Sequence, residues 1–99
     1  MSHLRLARSS WLAVPALLAL AVSTAAPSAA QDADYLWLLQ DRYRFLSPEQ
    51  LLSEGYKVCG VIEQGVGSRY AAEMVQQDLG VSPGASMDIV SAATVELGC

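Results

Sequence analysis

The chain has 99 residues, 53% of them hydrophobic and 16% charged, which allows one domain at most. From Gln31 onward four basic residues (Arg42, Arg44, Lys57, Arg69) stand against ten acidic ones, a net charge of −6. That balance argues against nucleic-acid binding, which needs clustered Lys and Arg facing phosphate, and against anionic lipid headgroups.

Residues 1–30 read as a signal peptide. Arg5 and Arg8 form a basic start, Trp11 to Val22 an uncharged apolar core, and Ser23 to Ala30 a run of small residues broken by Pro27. The best cleavage junction is Ala30–Gln31, with Ser28 at −3 and Ala30 at −1. The rival reading is an uncleaved anchor, but a spanning helix needs about 20 apolar residues and this core is shorter. Leu6 and Ala7 separate the two arginines, so there is no twin-arginine signal. No cysteine follows the apolar core to carry a lipid.

The remaining segment, 31–99, has 69 residues, of which 33 are hydrophobic, a globular composition. A first helix is expected from about Ala33 to Phe45, capped by Asp32 and with Asp34 near its positive end. Tyr35, Leu38, Leu39, Arg42 and Leu46 share its inner face, flanked by Leu36 and Tyr43. A second helix has a strong start: Ser47 as cap, Pro48 in the first position and Gln50 to complete a capping box. It carries Leu51, Leu52, Gly55, Cys59 and Ile62 at helical spacing and stops at Gly65. Gly55 and Gly60 inside it mark either a close helix approach or a kink. Ser68 caps a third helix with Ala71, Met74, Val75 and Leu79 as its stripe and Gly80 as its end. Ser82 and Pro83 open a fourth, with Ala85, Ile89, Val90, Ala93 and Leu97 on one side. No stretch alternates with period two, so strands are not expected. The fold class is all-α: a small bundle of about four short helices, with helix two at its centre.

Cys59 and Cys99 are the only cysteines. Export would place them in an oxidising space, where an even count makes a disulfide the default reading. A loop of about 40 residues would contribute on the order of 4 kcal/mol. A redox-active pair needs much closer spacing.

The segment Gly55-Tyr56-Lys57-Val58-Cys59, an Asp-rich start with Tyr35-Leu36 and Leu39, and a last helix ending in cysteine carry a resemblance. The chain from about Asp32 to Cys99 resembles the "domain of unknown function 732" group of small exported mycobacterial proteins. That resemblance implies a Cys59–Cys99 bridge and a secreted or cell-envelope setting, and it brings no activity with it. The family often ends in aromatic-Cys-Pro, whereas this chain has Leu97-Gly98-Cys99.

Catalytic and metal chemistry find few residues. The only histidine, His3, lies in the leader, so the mature segment has neither the usual general base nor the commonest metal ligand. Gly65-Val66-Gly67 is too short for a phosphate loop. Asp32, Asp34 and Asp41 lack calcium-loop spacing and suit helix capping. Glu63, Glu73, Asp78, Asp88 and Glu96 read as solvated faces. The expectation is therefore no enzyme, no cofactor and no metal. Tyr35, Trp37, Tyr43 and Phe45 cluster within eleven residues, and Trp37 and Phe45 fall off the main stripe. They are the candidate contacts to an unknown protein or envelope component, although the plainer reading of Trp37 is that it covers the edge of a small core. The alternative is a carrier of a small apolar ligand, haem or lipid-like, with a cavity left by Ala71, Ala72, Ala92 and Ala93.

Overall fold

A computed structural model describes residues 29–99. Within them the chain forms four α-helices and no strand: α1 (Ala29–Leu39), α2 (Pro48–Glu63), α3 (Ser68–Leu79) and α4 (Pro83–Glu96). Most of the expected leader, residues 1–28, lies outside the described residues, while the expected cleavage junction, Ala30–Gln31, lies in the first turn of α1.

The helix boundaries follow from local chemistry. At the start of α2, Ser47 Oγ accepts from Gln50 N–H, and the Gln50 side chain accepts from Ser47 N–H at 2.9 Å. Both halves of the capping box are thus in place. At its end Gly65 adopts φ +95°, which L side chains rarely tolerate. Gly65 N–H bonds the Ile62 carbonyl and Val66 N–H bonds the Val61 carbonyl, the two bonds of a Schellman closure. Gly80, at φ +66°, ends α3 in the left-handed region. Ser82 Oγ accepts from Ala85 N–H at 3.1 Å, with Pro83 in the first turn of α4.

Three expectations about helix ends are corrected. α1 starts earlier and ends earlier than expected, at Ala29 and Leu39 instead of Ala33 and Phe45. Ala29, Ala30 and Gln31 are good helix formers and extend the start. Beyond Leu39 the chain turns, with Tyr43 N–H on the Leu39 carbonyl and Leu46 N–H on the Tyr43 carbonyl. Leu46 is buried from this turn, so the apolar spacing continues after the helix has stopped. Asp32 is not a cap. It sits inside the first turn, where its carboxylate accepts a hydrogen bond from the Tyr56 hydroxyl of α2. Ser68 is not a cap either: Ala71 N–H bonds the Gly67 carbonyl at 3.0 Å, so the ladder begins one residue sooner, with Gly67 as cap.

The core is built from Tyr35 and Leu39 of α1, Leu46 of the following turn, Leu51 and Val58 of α2, Val75 of α3, and Ile89 and Val90 of α4. α4, not α2, makes the most extensive contacts, and its closest partner is α3. The reason is side-chain size. Ala71 and Ala72 on α3 and Ala92 and Ala93 on α4 are all buried, so the two backbones pack closely. α1 and α3 do not touch; α2 and α4 lie between them. With Ala85, Ser86, Ile89, Val90, Ala92 and Ala93 all buried, α4 is apolar around most of its circumference, the pattern of a central helix.

Gly55 resolves the close-approach question. A Cβ there would fall 2.7 Å from Tyr35 Cζ and 2.9 Å from Leu97 Cδ1, so the missing side chain makes room for the Tyr35 ring. That ring is fully buried, and its hydroxyl donates to the Leu51 carbonyl at 2.6 Å. A Cβ at Gly60 would meet nothing.

Candidate functional site

The disulfide is present. Cys59, in the fourth turn of α2, is bonded to Cys99, three residues past the end of α4, with Cα atoms 5.1 Å apart. Gly98, at φ +79°, turns the chain from α4 toward Cys59. The bridge joins the helices that carry most of the core, so it fixes the frame on which the surface is built.

Two polar clusters brace that frame, and sequence reading missed both. Asp78 and Asp88, expected on solvated faces, instead tie elements together. Asp88 of α4 accepts the Tyr43 hydroxyl and pairs with Arg42 at 3.2 Å, holding the α1–α2 turn against α4. Burial and this bond to Asp88 keep the Tyr43 hydroxyl above its ordinary range. Asp78 of α3 receives the Lys57 ammonium at 2.7 Å. Beside this pair lies Glu54, only 6% exposed, whose Oε2 is buried without a hydrogen-bond partner. Burial, and next the neighbouring Asp78, push the Glu54 carboxyl up to about 7, against a smaller downward pull from Lys57. Nothing in the local sequence marks Glu54 as buried. Its position follows only from how α2 and α3 cross.

Of the two candidate contacts, Trp37 lies on the opposite side of α1 from the core. Trp37 is 80% exposed and follows the buried Tyr35 by two residues, half a helical turn. It does not cover the core edge. Phe45 is 69% exposed and lies in the turn after α1, not on the helix. The ring it meets is Tyr43, edge-on, with centroids 6.4 Å apart.

Between α1 and α4 the chain forms an open groove of about 240 Å³, which neither Trp37 nor Phe45 lines. Leu38, Leu39, Arg42, Asp88, Ser91, Ala92 and Val95 line it. Leu38, expected on the inner face, is 40% exposed at its lip. Val95 is 73% exposed on the opposite lip. The groove is smaller than the roughly 300–1,000 Å³ usual for small-molecule pockets and open to solvent. Of the four alanines expected to leave a cavity, Ala71, Ala72 and Ala93 lie in the packed core, and Ala92, also buried, meets the floor of this open groove. Among the described residues no three His, Cys, Asp or Glu side chains group to hold a metal ion. No described helix is long and apolar enough to cross a membrane.

No protein-family model, curated protein or solved structure matches this chain.

Proposed function

We propose that this protein is an exported helical module, secreted or held in the cell envelope, that binds a protein or wall component through the surface around Trp37 and Phe45. One observation carries the reading: Trp37 puts 80% of its surface into solvent on a domain too small to bury much apolar area elsewhere. A large aromatic ring held on a stiff helix is well suited to anchor a partner, because it brings contact area at low conformational cost. The disulfide is compatible with an oxidising compartment, where a domain of this size gains from a covalent link. The resemblance to the domain of unknown function 732 group supports the same setting. In this reading the bound partner replaces the water over Trp37, and the protein performs no chemistry on it.

Pull-down from envelope extracts with the exported protein tests the proposal. Trp37→Ala and Phe45→Ala proteins serve as controls, since both side chains are exposed and their loss leaves the core intact. The expected result is a partner retained by the native chain and lost from both variants. Identical capture by all three would remove the proposal. Intact mass of the exported chain tests export directly, with an expected start at Gln31.

A further inference from the structure

We infer that the α1–α4 groove is a second part of the recognition surface, and that it takes an amphipathic, basic segment of a partner protein. This rests on the interaction reading above and names the partner's chemistry.

The first observation is an apolar stripe where a solvated one belongs. α4 is buried on most sides, and its outward positions run Met87, Ser91, Val95 at four-residue spacing. None is charged, and Met87 and Val95 are 42% and 73% exposed. Of these Ser91 and Val95 line the groove, and across it Leu38 of α1 presents the second apolar lip, with Leu39 and Ala92 as the floor. Two parallel lips with an apolar floor suit side chains projecting from one face of a helix.

The second observation is charge. Neither α1 nor α4 contains a Lys or Arg, while the two helices carry Asp32, Asp34, Asp88 and Glu96. The one basic side chain lining the groove, Arg42, comes from the turn and is bonded to Asp88. Asp34 precedes Leu38 by four residues and so lies on its side of α1, and Asp41 follows in the turn after the helix. The ion pairs among the described residues are Arg42–Asp88 and Lys57–Asp78, and neither includes Asp34 or Asp41. Apolar lips flanked by carboxylates complement a segment that pairs Leu-like side chains with Lys or Arg. They also oppose a second copy of this acidic chain.

The exported protein is titrated into fluorescently labelled peptides of about four helical turns. One is an amphipathic Leu/Lys peptide, one its Leu/Glu counterpart, and one a Leu/Lys scramble with no apolar face. The Leu/Lys peptide is expected to bind roughly tenfold or more tighter than either control, and to weaken as salt rises from about 0.05 to 0.5 M. The Leu38→Ser/Val95→Ser variant should lose the apolar component. Asp34→Asn/Asp41→Asn should lose several-fold affinity and most of the salt dependence, with an unchanged melting temperature. Equal binding of the Lys and Glu peptides, or of the scramble, overturns the inference, as does binding unmoved by either double variant. Failure to bind any peptide overturns it too. If Trp37→Ala still abolishes partner capture in that case, the interaction reading stands and only the groove and its charge preference fall. Self-association of the native chain at peptide-free concentrations would also overturn it.

Discussion

Two glycines of one helix should respond in opposite directions to the same substitution. Gly55 faces the Tyr35 ring at a distance no real Cβ adopts, and that ring is held by its bond to the Leu51 carbonyl. Gly55→Ala must displace a buried aromatic, and overpacking of this kind costs typically about 1–3 kcal/mol. Gly60 meets nothing, so Gly60→Ala gains helix propensity and should stabilise by up to about 1 kcal/mol. Urea unfolding of the two variants checks both signs, and a destabilised Gly60→Ala would show that α2 needs flexibility there. Glu54 gives a pH prediction at the same scale. Its folded carboxyl titrates near 7, above its ordinary 4.5, so its contribution to stability is fully present below about 4.5 and is lost as pH rises to about 7. Asp78 works the other way: the Lys57 bond lowers it, so its contribution is lost only as pH falls below its ordinary 3.8. The segment 31–99 contains no histidine, so between pH 5 and 7 Glu54 is the group that titrates. Native protein is expected to melt at a lower temperature at pH 7.5 than at pH 5. Glu54→Gln, neutral throughout, should remove most of that difference. An unchanged pH dependence in the variant would contradict the burial of this carboxyl.

At the scale of the element, the caps are where sequence and structure agree best. Ser47-Pro48-x-Gln50 needs only four consecutive residues to define its geometry, so nothing elsewhere in the chain can overrule it. Ser47→Ala removes the acceptor for Gln50 N–H and should cost about 1 kcal/mol, read as a lower urea midpoint with an unchanged slope. The Gly65, Gly80 and Ser82 boundaries were legible for the same reason. α1 was misjudged because its boundary is set by tertiary contacts. The turn after Leu39 is held from α4, through Tyr43 and Arg42 on Asp88, and Leu46 continues the apolar spacing from outside the helix. The groove was hidden by the same logic. Val95 becomes a lip only because α4 is central and leaves one narrow stripe exposed, and the pattern of α4 alone does not say which neighbours cover it. Trp37 was legible as an outlier from its stripe, since two residues after a buried Tyr35 a helix has turned to its far side.

For the molecule as a whole, the covalent link divides the bundle unequally. The Cys59–Cys99 loop of 40 residues encloses the end of α2, all of α3 and all of α4, and leaves α1 outside. Closing a loop of that length removes unfolded-state entropy worth about 4 kcal/mol, a large share of the roughly 5–15 kcal/mol that holds a typical domain together. Cys59→Ala/Cys99→Ala should therefore lower unfolding free energy by about that amount, and reduction of the native chain should do the same. α1 gains nothing directly from the bridge. It is held by Tyr35 on Leu51, Asp32 on Tyr56, Tyr43 on Asp88 and the burial of Tyr35 and Leu39. Native-state hydrogen exchange should then find α1 opening at lower free energy than α2 and α4 while the bridge is intact. In the reduced protein that gap should narrow, because the stability of the enclosed helices falls toward that of α1. Equal protection of all four helices in the oxidised form would mean that the contacts of α1 carry as much as the covalent link. The arrangement has a consequence for binding, since one lip of the groove belongs to α1 and the other to α4. If the proposed groove binds a partner, it is complete only while α1 stays docked, so loss of the buried Tyr35 anchor should weaken that binding although Tyr35 does not line the groove.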